Sequence, residues 1–327
     1  MGQMRYVELP GNTVARLPYL AQGATLQVMF FMSEEHLLQR VCNRALNERV
    51  GNGLRFHVML PVVVFTALYA EHMTSDDPID KSKGFVKEAD IGFWIVVQGG
   101  EASKPLTWRE YMLPVYLFVD SGAALSAGRE VFGYPKLLGR FERQNSIPDD
   151  DARVEVHTQH FTKFGPTEEA LVAPIFASER IPSAKLALAS RSEEEISDQL
   201  SARFLAPPMS RPRKALDFTP YGAVLPMIFL KQFRGLTRPN TACYQAVASV
   251  DTMPLADPKP KYKPLSHGYA LRLWPSASHP IAADLGLESG QTADTDEIPP
   301  FQYEMSFTVG FGSVLWEESG DAAARHA

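Results

Sequence analysis

The chain has 327 residues, 45% of them apolar and 21% charged, a globular balance whose length suits one elaborated domain or two ordinary ones. A formal charge of −6, from 32 basic and 38 acidic side chains, argues against nucleic-acid binding, which needs a basic footprint. Two cysteines, Cys42 and Cys243, can build neither a disulfide framework nor a zinc site between them, and they suit a reducing, cytoplasmic setting.

The opening residues lack the basic-then-apolar plan of a secretory signal. Residues 24–32, with Thr25, Leu26, Val28, Phe30 and Phe31, read as a strand. Ser33 is expected to cap a helix whose inner face is Leu37, Leu38, Val41 and Cys42. The longest apolar run, 58–70, carries Pro61 and falls short of the roughly 20 residues a membrane span needs, so it reads as a buried strand or strand pair. Further strands are expected at 92–97, 115–119, 153–161 and 227–230, and a second helix behind the capping box at Ser192–Glu195. Near the end, Phe301, Tyr303, Met305, Phe307, Val309 and Phe311 alternate with smaller or polar residues, the clearest period of two in the chain. Segments 74–83, 145–151, 207–220 and 254–264 read as loop insertions, and the last two are too rich in proline for central strands. With no βαβ rhythm, repeat or linker, the expectation is a single α+β domain over 1–327, a largely antiparallel, barrel-like sheet with a few peripheral helices.

Most chemical motifs fail on geometry. His157 and His160 lie three apart on an expected strand and point to opposite faces, so no metal site is expected there. Ser126 lacks the glycine of a nucleophile elbow two residues before it, where Ala124 stands. Gly310-Phe311-Gly312 has no helix behind it and is no dinucleotide loop. No cofactor is expected. One lysine is of more interest. Lys136 follows Tyr134-Pro135 among Val131, Phe132, Leu137 and Leu138, and in an extended segment Phe132, Tyr134 and Lys136 would share a face. Such a lysine either snorkels to water or is desolvated.

Here the sequence resembles the acetoacetate decarboxylase family. The resemblance rests on Gly128-Arg129-Glu130 followed by Tyr134-Pro135-Lys136, downstream of an apolar strand ending in Asp120. It implies that Lys136 forms a Schiff base with a keto substrate. Upstream, Gly84-Phe85-Val86-Lys87-Glu88 is similar to the family segment carrying an essential glutamate, which implies Glu88 as the acid/base. Weaker similarity extends over most of the chain. The resemblance further implies a cytoplasmic, homo-oligomeric enzyme acting on a small keto acid, with no nucleic-acid or membrane partner.

Three departures qualify the substrate. The family's second, adjacent lysine is replaced by Leu137; its arginine near the first strand has only Gln22 and Gly23 as counterparts; and its second acid has no counterpart among Val62, Val63, Val64 and Phe65. Imine formation needs a neutral amine, whereas a free lysine is neutral in roughly one part in 2,500 at pH 7. Without the second lysine, desolvation is expected to lower the pKa of Lys136, with Tyr134, Phe118 and Leu137 as substrate-contacting walls. Arg129 and Glu130 are expected to act structurally beneath the site. The first functional expectation is a carboxy-lyase that decarboxylates a β-keto acid through a lysine imine. Two alternatives stay open: a Schiff-base aldolase-dehydratase on pyruvate-like keto acids, and a non-catalytic small-molecule-binding protein on the same scaffold.

Overall fold

Alternation of branched and aromatic side chains with smaller ones extends most of this chain. A computed structural model describes residues 6–8, 13–51, 53–142, 152–181, 225–265, 267–293 and 300–319. Twelve strands follow in order among them: β1 (Tyr19–Met32), β2 (Leu54–Ser75), β3 (Val86–Glu101), β4 (Arg109–Val119), β5 (Lys136–Glu142), β6 (Val154–His160), β7 (Leu171–Ile181), β8 (Met227–Arg234), β9 (Ala242–Pro254), β10 (Lys261–Pro264), β11 (Gly268–Leu273) and β12 (Phe301–Ser319). Three short helices, α1 (Glu35–Cys42), α2 (Gly122–Ala127) and α3 (Ile281–Leu285), sit around them. The expected helix behind Ser192 and the loops 145–151 and 207–220 lie outside the described residues. None of the described helices is long and apolar enough to cross a membrane.

Hydrogen bonding runs β4–β3–β2–β1–β12–β9–β8 and returns to β4 where Met112 pairs in parallel with Met227. Those seven strands form a ring, barrel-like rather than a regular barrel. β5 leaves β4 in parallel and carries a second arm, β5–β6–β7–β11, away from the ring. The 58–70 run is the middle of one 22-residue strand. Its register against β3 slips between Val58 and Val63, a bulge that places Pro61 where no ladder hydrogen bond is required of it.

The period of two separates two cores. Along β3, Ile91, Phe93, Ile95 and Val97 face an outer core with Phe31, Phe65, Phe118 and Phe176, while Trp94 and Val96 face the ring interior with Val64, Leu117, Tyr303 and Met305. β12 feeds the interior as expected through Val309, but a bulge between Val309 and Gly312 breaks the period, and Phe311 is exposed. At α1 the expected inner face is present, with Leu38, Val41 and Cys42 buried, but Glu34 rather than Ser33 occupies the cap. The Ser33 hydroxyl instead donates to the Leu285 carbonyl, tying α1 to α3. Strands β7, β9 and β10 were not anticipated: Pro174 interrupts the first, where it faces a bulge at His157, the second begins in small and polar residues, and the third lies within the expected loop 254–264 as a short strand on β12.

Candidate active site

Lys136 is the first residue of β5 and pairs with Leu117. The turn that delivers it is built by glycines. α2 is capped by the Ser121 hydroxyl, which accepts from the Ala124 amide, and passes into a π-helical turn at Gly128–Phe132. Gly133 then adopts φ +93°, a left-handed conformation disfavoured for side-chain-bearing residues. The amides of Gly133 and Tyr134 both donate to the Gly128 carbonyl. Phe132 therefore ends a helical turn rather than lying on an extended segment, yet its ring stacks on Tyr134 at 5.1 Å and both line the cavity with Lys136. Gly128 lies flat against the lysine, where a Cβ would stand 2.3 Å from Lys136 Cδ.

Alternation on β3 supplies the partners. Glu88 and Asp90, two residues apart, face the same way. Lys136 Nζ lies 2.8 Å from Glu88 Oε1 and 3.0 Å from Asp90 Oδ2, and it sits 5.9 Å from the Tyr134 ring centre. Lys136 is 5% exposed and Glu88 9%. Asp120 Oδ1 accepts from the Ala89 amide between the two acids and fixes the strand there. Arg129 donates to the Lys136 carbonyl and Glu130 accepts from the Tyr6 hydroxyl, so neither joins the polar cluster around the amine.

The charges reverse one expectation. Burial by itself disfavours the ammonium, but Asp90 and Glu88 outweigh it and hold the Lys136 pKa above the ordinary lysine value. Burial pushes Asp90 well above the usual carboxylate range, and the Glu88 carboxylate beside it adds to the push. The arrangement amounts to an ammonium between two carboxyl groups, with Asp90 favouring its protonated form. Asp90 was not among the site residues expected from the sequence. Its signal was the Glu-x-Asp spacing just ahead of an apolar strand.

These groups open into a cavity of about 450 Å³ inside the ring, lined from every ring strand. Of the expected walls, Tyr134 lines it, and burial raises its phenol pKa well above the ordinary value. Phe118 and Leu137 do not. The β4–β5 register pairs Phe118 with Leu137 and Leu117 with Lys136, and alternation sends the first pair into the outer core while Leu117 faces the cavity. Gln22 and Gly23 sit exposed at a β1 bulge and are not among the lining residues. The loop at 74–83 forms part of the rim, where buried Asp80 is held by Arg16 and Lys83, each 2.7 Å away.

Outside the cavity, Glu142, Glu155 and His157 bring three possible metal-ligating atoms together. His157 Nε2 is 2.7 Å from Glu155, whereas His160 turns away to Ser276.

A family model for acetoacetate decarboxylase matches residues 80–194, a span that includes Glu88, Asp90 and Lys136. No curated protein sequence gives a significant match. Among solved structures, the fold is similar to acetoacetate decarboxylase from Legionella pneumophila subsp. pneumophila str. Philadelphia 1, at 14% identity and TM-score 0.57 over 97% of this chain and 93% of that one. A second acetoacetate decarboxylase structure matches at 13% identity and TM-score 0.58, covering 96% of each chain. An acetoacetate decarboxylase-like enzyme from Sphingomonas wittichii RW1 matches at 14% identity and TM-score 0.50, over 96% of this chain and 98% of that one. The family model thus crosses the lysine segment, and the fold is similar to that of acetoacetate decarboxylase structures along nearly the whole length of the chain.

Proposed function

We propose that this protein is a Schiff-base enzyme that decarboxylates a β-keto acid, with Lys136 as nucleophile and Glu88 and Asp90 as the proton-transfer pair. The observation that carries the reading is a buried amine within 3.0 Å of two carboxyl groups at the wall of an apolar cavity. An ammonium cannot attack a carbonyl. Passing its proton to a carboxylate in contact with it leaves a neutral amine and a neutral acid, a transfer made against the hold that the two acids keep on the ammonium. The neutral amine adds to the substrate ketone, and the oxygen leaves as water with protons drawn from the acids. The protonated imine then accepts the electron pair of the breaking carbon–carboxylate bond, CO₂ departs, and an enamine remains. One acid protonates the enamine carbon, and water releases the ketone and restores the amine.

A second reading, an aldolase-dehydratase on pyruvate-like substrates, draws on the same two acids, since expulsion of a hydroxyl needs a proton donor beside the imine. Evolution of CO₂ separates the two.

Borohydride reduction in the presence of a panel of keto acids should attach the substrate skeleton to Lys136, found by mass spectrometry. Lys136→Arg should abolish the label while keeping the fold, because its guanidinium stays charged and forms no imine. Label elsewhere, or none across the panel, sinks the imine reading in both forms and favours a binding protein.

A further inference from the structure

We propose, resting on the Schiff-base reading, that the substrate is a carbonyl compound with a long apolar tail that fills the ring interior, rather than a four-carbon keto acid. Allowing ~30 Å³ per non-hydrogen atom, a generous share, acetoacetate with its ~7 such atoms takes up about half of the cavity at most. The whole volume of about 450 Å³ suits roughly 15.

The walls are as telling as the size. Along β3 the lining residues succeed one another as Val86, Glu88, Asp90 and Trp94, from the rim built around Asp80–Val86 inward. Asp90 to Trp94 is four residues of strand, about 13 Å of wall beyond the carboxyl groups. The lining there and across the ring is apolar and adaptable, with Leu26, Leu68, Met112, Met227 and Met305. Methionine's unbranched, polarizable chain moulds itself around an apolar guest. Trp94 Nε1 donates to Thr66 Oγ1 at 2.7 Å, while the buried Thr252 Oγ1, also in the lining, has no hydrogen-bond partner among the described residues. Lys83, at the exposed rim and already on Asp80, is the only basic lining residue besides Lys136 among the described residues. The interior thus offers a small charged substrate little recognition and an alkyl or aryl tail a great deal.

The test is reductive trapping at Lys136 with 3-oxo acids of four, six, eight, ten and twelve carbons. Trapping efficiency should rise roughly fourfold per added methylene and level off near the longest, which has about 15 non-hydrogen atoms. Leu26→Phe, which narrows the floor, should move the optimum to shorter chains. Saturated acids of matching length should protect Lys136 from labelling in the same order, which serves as an independent measurement should that variant fold poorly. Label on Lys136 with efficiency flat or falling with chain length overturns the tail and leaves the Schiff-base reading standing. No label at any length overturns that reading and the substrate assignment with it.

Discussion

Removing the two carboxyl groups from Lys136, one at a time and then together, tests how the amine is held. Nζ lies 2.8 Å from Glu88 and 3.0 Å from Asp90. At this range one full negative charge favours the ammonium by about 6 kcal/mol at an effective dielectric near 20, or roughly ten-thousandfold in proton affinity. Because Asp90 holds its proton unusually tightly, the pair presents about one charge rather than two. Glu88→Gln should therefore lower the proton affinity of Lys136 by less than about tenfold, since Asp90 ionises in its place. Asp90→Asn should do no more, since the Glu88 carboxylate stays. The double variant leaves burial alone, which disfavours the ammonium, and should lower it by about ten-thousandfold or more, to below the ordinary lysine value. The readout is the rate of amine-directed inactivation against pH, with the label mapped to Lys136 and circular dichroism confirming the fold. Single-variant effects that sum to the double, or a double variant titrating like free lysine, would refute the shared-charge account.

Gly128→Ala should drive a methyl into Lys136 Cδ and displace the amine from its acids, cutting trapping at least about tenfold with little change in Tm; unchanged trapping would show that the lysine has room to spare. Phe118→Ala, which empties a fully buried site against Phe176, should cost about 3–5 kcal/mol of stability and leave KM unchanged; a raised KM with intact stability would return Phe118 to the substrate wall. Asp90 is held protonated above its ordinary range, so the native fold loses stability as pH rises from that range through the raised folded value. Asp90→Asn removes this loss, and its Tm relative to the parent should climb from about pH 4 upward; a difference constant from about pH 4 to pH 8 contradicts the raised value.

The sequence by itself determined the local features: the alternation of Phe301 to Val309, the amphipathic α1, and the Tyr134-Pro135-Lys136 motif whose family resemblance pointed to Lys136 and, upstream, Glu88. Those signals are written in neighbouring residues, where period and turn chemistry are legible without a partner strand. Tertiary structure decided the rest. Which face of β4 and β5 meets the cavity depends on the Leu117–Lys136 register, and that pairing removed Phe118 and Leu137 from the site and put Leu117 in their place. Bulges at Val309/Gly312 and at Val58/Val63 change parity or pairing at points no single strand announces. The charge state of Lys136 was misjudged for the same reason. Desolvation could be inferred from apolar neighbours in sequence, but a second acid 3.0 Å away arrives only when β3 and β5 are folded on either side of β4, and Coulomb energy depends on that distance and not on composition.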